Sequence, residues 1–192
     1  LLGMRFIFIQ LFLYVSFFTN AQSSFSKVYF SEELTTGLDV VETSDKGFLI
    51  LGDTSAADGY RDIYLIKTDS LGEKQWTRSF GYVGYSDSPH SMINTYDGGY
   101  LITGDIDKDN SASGTSPYPI MYKLDSVFNI EWYREQVMDM GTAWCRDVVQ
   151  TPDSGYLFMG KTVVGGSTLM KTDKNGATQW LEQFGLTFND YV

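Results

Sequence analysis

The sequence predicts an all-β fold, a β-propeller or an open arc of about three four-stranded blades, and three observations predict it. A nine-residue phrase occurs three times, as DKGFLILGD at 45–53, DGGYLITGD at 97–105 and DSGYLFMGK at 153–161. A second phrase follows each copy: IKTDSLGEKQW at 66–76, YKLDSVFNIEW at 122–132 and MKTDKNGATQW at 170–180. Aromatic residues make up 16% of the chain, which suits a packed, strand-rich protein.

The register of the repeats is close. Asp45, Asp97 and Asp153 stand 52 and 56 residues apart, and Gly52, Gly104 and Gly160 keep those intervals. Lys67, Lys123 and Lys171 recur at 56 and 48, as do Asp69, Asp125 and Asp173 and then Trp76, Trp132 and Trp180. A sheet of about 50 residues cannot cover both of its own faces, so it must stack on a neighbour of its kind. A long β-sandwich would also show short strands and turn signals, but it gives no reason for the same residue types to return at matched places.

Each repeat reads as four strands. In the first copy DVVET at 39–43 is the first strand, and an Asp-Gly-Gly type of hairpin turn follows. GFLILG at 47–52 is apolar without alternation, the pattern of a strand covered on both faces. IYLIKTD at 63–69 is the third, ending in a tight turn that calls for a left-handed glycine at Gly72 and Gly176. Phe128 stands at that place in the middle copy, so its turn is expected to differ. KQWTRSFG at 74–81 alternates, with Trp76, Arg78 and Phe80 on one side, as a half-exposed outer strand does.

The repeats occupy about 37–88, 89–144 and 145–188, within a propeller repeat domain at 22–192. KVYF at 27–30 reads as a lone fourth strand, and GLTFNDYV at 185–192 as the start of a fourth repeat. These ends lead to the expectation of a fragment of a larger ring, with two uncovered sheet faces and a tendency to self-associate. Residues 1–21 have the form of a secretory signal peptide: Arg5, an apolar stretch from Phe6 to Phe18, then Thr19-Asn20-Ala21. A retained anchor is the other reading of that stretch, but a spanning helix needs about 20 apolar residues, so no membrane span is expected after leader removal.

The net charge of −10 and the lack of a Lys/Arg cluster exclude nucleic acid as a partner. Cys145 is the single cysteine, so no intrachain disulfide can form. It reads as a small buried side chain, the alternative being a reactive thiol.

In these phrases the chain resembles secreted bacterial β-propeller-like repeat proteins, whose units read roughly T-x-D-G-G-Y with two apolar residues and a glycine, then K-x-D-x-x-G-x-x-x-W. The resemblance spans 37–185. It implies export from a Gram-negative bacterium, to the medium or cell surface, with the periplasm as the alternative. The second phrase is also distantly similar to the tryptophan-docking motif of quinoprotein-type propellers, although it is one residue shorter and lacks a Thr before the Gly. That likeness implies a packing role for Trp76, Trp132 and Trp180 against the turn of a neighbouring blade. No quinone constellation can be matched, so no organic cofactor is expected.

Asp105, Asp107 and Asp109 alternate in DIDKDNSASG as in oxygen-rich calcium loops, and they are the candidate metal ligands. The pattern breaks at Asn110 and Ser116, and the competing reading is a solvated surface loop over 105–119. His90, Arg146, Asp39 and Asp147 fall at first-strand entrances, where a propeller ligand face would lie. Lys67, Lys123 and Lys171 read as a repeated structural device, pairing with an acid. Two function classes follow. One is an exported, non-enzymatic binding or scaffolding module that presents loops to a protein or glycan, with Tyr60, Tyr82, Tyr85 and Tyr118 as stacking surfaces. The other is an extracellular hydrolase or lyase using Asp39, Asp87 and Asp147.

Overall fold

The computed structural model of the chain describes residues 25–29, 35–55, 59–108, 117–136, 143–162 and 166–185. The expected leader at 1–21, the loop interior at 109–116 and residues 186–192 of the expected fourth repeat lie outside them.

Three antiparallel sheets of four strands follow one another in sequence order. The first comprises β1 (Thr35–Glu42), β2 (Phe48–Ser55), β3 (Arg61–Thr68) and β4 (Lys74–Phe80). The second comprises β5 (Ser86–Asn94), β6 (Tyr100–Asp107), β7 (Pro117–Leu124) and β8 (Ile130–Glu135). The third comprises β9 (Ala143–Gln150), β10 (Tyr156–Thr162), β11 (Ser167–Thr172) and β12 (Thr178–Phe184). No helix occurs among the described residues, and none is long and apolar enough to cross a membrane.

The recurring sequence phrases build the same two turns in every sheet. In the first hairpin of the first sheet Lys46 N donates to Thr43 O and Thr43 N to Gly47 O, both at 2.9 Å. The left-handed residue is Lys46, Gly98 or Ser154, so glycine is not required there. In the third-to-fourth strand turn the backbone amides two and four residues on donate to Asp69, Asp125 or Asp173, at 2.8 to 2.9 Å. The expectation that Phe128 forces a different turn is corrected: Phe128 takes φ 69°, beside 75° and 79° for Gly72 and Gly176. Its turn carries the same Asp125 bonds, which supply the local hydrogen bonding that holds a non-glycine residue in that region.

Each first strand carries a bulge opposite the recurring glycine. Register shifts fall between Gly37 and Asp39 facing Gly52, between Pro89 and Ser91 facing Gly104, and between Met159 and Gly160 facing Cys145 and Asp147. A Cβ on Gly52 or Gly104 would sit 2.2 Å from the carbonyl oxygen of Thr36 or Ser88, so close backbone approach explains those two glycines.

The sheets pack face to face, with β1 beside β5 and β5 beside β9. Leu49, Leu51, Ile63 and Leu65 of the first sheet meet Met92, Tyr100, Ile102 and Tyr122 of the second. Leu101 and Met121, on the opposite face of the second sheet, meet Val148, Tyr156, Phe158 and Met170 of the third. Each fully buried side chain of this size contributes about 1.5 to 3 kcal/mol. The continuous apolar pattern therefore marks double coverage only in β6, which is buried from Tyr100 to Ile106. In β2 and β10 one face is covered. The alternation expected of β4 holds, with Trp76, Arg78 and Phe80 half-buried and Thr77 and Ser79 exposed.

Candidate functional site

A repeated ion clamp fixes the turn end of every sheet. Lys67 is 2% exposed, and its ammonium donates to Asp45 Oδ2 at 2.9 Å, Thr68 O at 2.6 Å and Gln75 Oε1 at 3.2 Å. Lys171 repeats this on Asp153, Thr172 O and Gln179. Lys123 repeats it on Asp97 and Leu124 O, but its third partner is the carboxylate of Glu131 at 3.0 Å. A buried ammonium needs all three donors satisfied, and here each is. Gly47, Gly99 and Gly155 leave the room, since a Cβ would lie 2.4 to 2.6 Å from each Nζ. Hydrogen bonds from Thr43, Lys67 and Gly47 hold Asp45 well below the carboxylate range, and Thr151, Lys171 and Gly155 do so for Asp153. The expected pairing of these lysines with an acid is what the geometry contains.

On this frame a groove of about 400 Å³ opens between the second and third sheets. The half-buried Trp132 and, behind it, the buried Tyr156 lie at its base, with ring centroids 6.3 Å apart. Tyr96, Asp97 and Glu131 line the second-sheet wall, and Gln150, Lys174 and Asn175 the third-sheet wall. Tyr96 N donates to Gln150 Oε1 at 2.7 Å, and Gln136 Nε2 donates to Gly176 O at 2.9 Å, so the walls are tied together. None of Tyr96, Glu131, Gln150, Lys174 or Asn175 stands out in the sequence alone. The available signal was divergence between copies: Glu131 where the others have Gln75 and Gln179, Lys174 where they have Ser70 and Ser126, and Gly176 against Phe128.

The residues expected at first-strand entrances are partly brought together. Ser91 Oγ stands 3.4 Å from Asp39 Oδ2 and 3.3 Å from Asp147 Oδ1, sharing one proton between carboxylates of the two flanking sheets. Asp39 Oδ2 also accepts Met92 N at 2.8 Å. His90 Nε2 instead pairs with Asp105 Oδ1 at 2.5 Å, and Arg146 is exposed. Asp87 is apart from this row and fully buried, accepting Tyr82 N at 2.7 Å and the Tyr122 hydroxyl at 3.3 Å. Burial pushes its carboxyl up to about 6.

Of the three candidate calcium ligands, Asp105 and Asp107 belong to β6, with Asp105 on His90, while Asp109 lies outside the described residues. The expected loop thus begins later than Asp105, because the ladder with β7 continues through Asp107 and Pro117. Among the described residues no group of three or more His, Cys, Asp or Glu is gathered so as to hold a metal ion. Cys145 is buried and its thiol is pushed up to about 12 by desolvation, so it stays protonated. Tyr82 is exposed, whereas Tyr85 and Tyr118 pack against the first core cluster. Lys108 lies over the Tyr82 and Tyr118 rings and pairs with Glu135 at 2.6 Å.

The packing role expected of the tryptophans holds at two of three positions. Trp76 meets Phe128 edge-on at 5.0 Å, and the Trp132 ring lies 3.0 Å from where a Gly176 Cβ would be. Trp180 is exposed. No protein-family profile matches the chain, and no curated protein matches it either.

Proposed function

We propose that the three sheets are successive blades of a propeller-type arc, and that the chain is an exported binding module holding a glycan in the groove between the second and third sheets. One observation carries this reading. The groove combines two accessible aromatic rings, the half-buried Trp132 and the exposed Tyr96, with amide, carboxylate and ammonium groups on opposed walls. Sugars are recognised by that mixture, an aromatic surface for C–H faces and convergent polar groups for hydroxyls. The ion clamp of Lys123 supports it, since walls held in place cost less to order on binding.

A glycan array followed by calorimetry on the full chain tests the reading. Asn175→Ala and Lys174→Ala, both at exposed turn positions, should each weaken binding about tenfold and leave the melting temperature within a degree or two. Unchanged affinity in both variants, or no bound glycan at all, removes the proposal. The competing class, a hydrolase or lyase working through Asp39 and Asp147, takes its place if product is released and Asp147→Asn abolishes the release.

A further inference from the structure

We propose that the outer face of the third sheet is a docking surface for the first sheet of a second copy of this chain, so that copies stack head to tail. The inference is independent of the glycan groove. It rests on what the two internal joints have in common and on what the two outermost faces lack.

Each joint presses a forward face onto a rear face. Ladder register places Leu49, Leu101 and Leu157 at one forward position, and Leu65, Met121 and Leu169 at another. The first two members of each set are buried, and the third-sheet members are half-exposed. Farther along the same outer face Met159, Trp180 and Phe184 are 51%, 44% and 52% exposed. The rear face shows the reverse order. Met92 and Val148 are buried, while their counterpart Val40 in the first sheet is 55% exposed. Ile50 and Ile66 are half-exposed where Ile102 and Phe158, and Tyr122 and Met170, are buried. Among the described residues, one end therefore carries a forward face without its rear partner, and the other a rear face without its forward partner. Such a pair is heterologous, and it favours stacking over a two-fold dimer.

The tryptophan position gives the contact its register. Trp76 lies on the β7–β8 turn at Phe128, and Trp132 on the β11–β12 turn at Gly176. Trp180 is the third of the series, is 44% exposed, and faces no turn among the described residues. The turn left over is the one at Gly72 in the first sheet. There Phe25 already lies where a Gly72 Cβ would be, beside Phe48 at 6.0 Å, while Tyr29 donates to Gly72 O at 2.9 Å. Residues 25–29, which include 27–29 of the lone fourth strand expected at 27–30, form no ladder among the described residues and cover this turn instead. Phe25 thus stands in for a tryptophan from a preceding sheet. A docking Trp180 must displace it, so the segment weakens association without preventing it.

Sedimentation velocity on the full chain across a hundredfold concentration range tests this. The expected result is a mass that climbs with concentration beyond a dimer. Trp180→Ala and Met159→Lys, both on exposed side chains, should each weaken association about tenfold while the dilute protein melts as before. Phe25→Ala should strengthen it about tenfold. A chain that stays monomeric throughout, association untouched by both face variants, or association weakened by Phe25→Ala would each overturn the proposal.

Discussion

The joint between the first and second sheets and the joint between the second and third share one register and are closed by different residues. At the first, Phe128 is held between Trp76, at 5.0 Å, and Tyr100, stacked at 5.2 Å and 17°. At the second, Gly176 occupies the position of Phe128, the Trp132 ring drops onto it, and no turn aromatic reaches Tyr156. Walls differ as well. The hollow at the first joint is lined by Glu42, Thr43, Ser44 and Asn94, and the groove at the second by Glu131, Lys174, Asn175 and Gln150. The frame is repeated because each sheet must be covered, and individuality is confined to positions where the frame is indifferent.

The largest effect is expected at the recurring tryptophan position, in its second-joint copy Trp132. Trp132→Ala removes the ring from the second joint and leaves a cavity that Gly176, without a side chain, cannot fill. A loss of about 3 kcal/mol in urea unfolding is expected, at the low end for a buried aromatic because Trp132 is half-buried. Trp76→Ala should cost less, since Phe128 and Tyr100 can close over the vacancy. Equal losses would mean that the two joints are energetically alike and that Phe128 adds nothing.

The joints should also differ in their response to pH. Asp87 belongs to the first joint, and its counterpart at the second is Ala143, which does not titrate. Burial, with Asp62 adding to it, pushes the Asp87 carboxyl up to about 6, against the pull of the Tyr82 amide and the Tyr122 hydroxyl. A raised acid binds its proton more tightly in the folded chain than in the unfolded one. Its contribution is therefore complete below about pH 4 and is lost as the pH climbs through 6. Wild-type stability should fall by on the order of 2 kcal/mol between pH 4.5 and 7, and Asp87→Asn should flatten that slope. Asp45, Asp97 and Asp153 are shifted the other way and act only below about pH 4, where stability falls as they protonate. A wild-type slope unchanged by Asp87→Asn would place the titration elsewhere.

The fold was legible from the sequence to the extent that it is repeated. Four strands per repeat, the two turns and the pairing of Lys67, Lys123 and Lys171 with an acid follow from residues that return at fixed intervals. Where a residue breaks the repeat, sequence reasoning takes the local rule as decisive, and the structure shows a second interaction outweighing it. Phe128 is one case, since the amides bonded to Asp125 and the stacked Tyr100 hold it in a conformation that glycine would enter freely. Asp105 is another, drawn into β6 by the ladder and paired with His90, although its spacing suggested a loop. The groove was illegible for a different reason. Its walls come from the β5–β6 turn and β8 on one side and from the β9–β10 and β11–β12 turns on the other, and only the tertiary fold brings together residues as far apart as Tyr96 and Gln150.

The smallest effect on stability, and the sharpest test of what distinguishes the joints, is expected from Phe128→Gly. Two opposed changes partly cancel. Losing the ring forfeits its contacts with Trp76 and Tyr100, about 0.5 to 1.5 kcal/mol for each aromatic pair. Glycine relieves the left-handed backbone at φ 69°, a gain of roughly 1 to 2 kcal/mol. The net change should lie between a gain of about 1 kcal/mol and a loss of about 2 kcal/mol, less than the loss expected at Trp132. If the proposed glycan site holds, binding separates the possibilities more clearly, because the substitution gives the first joint the glycine turn of the second while its walls keep Ser126 and Val127 in place of Lys174 and Asn175. If the glycine turn alone makes the groove competent, calorimetry should find two glycans bound per chain. If the polar wall at Lys174 and Asn175 is what recognises the sugar, the count stays at one, and adding Ser126→Lys and Val127→Asn to the glycine variant should bring it to two.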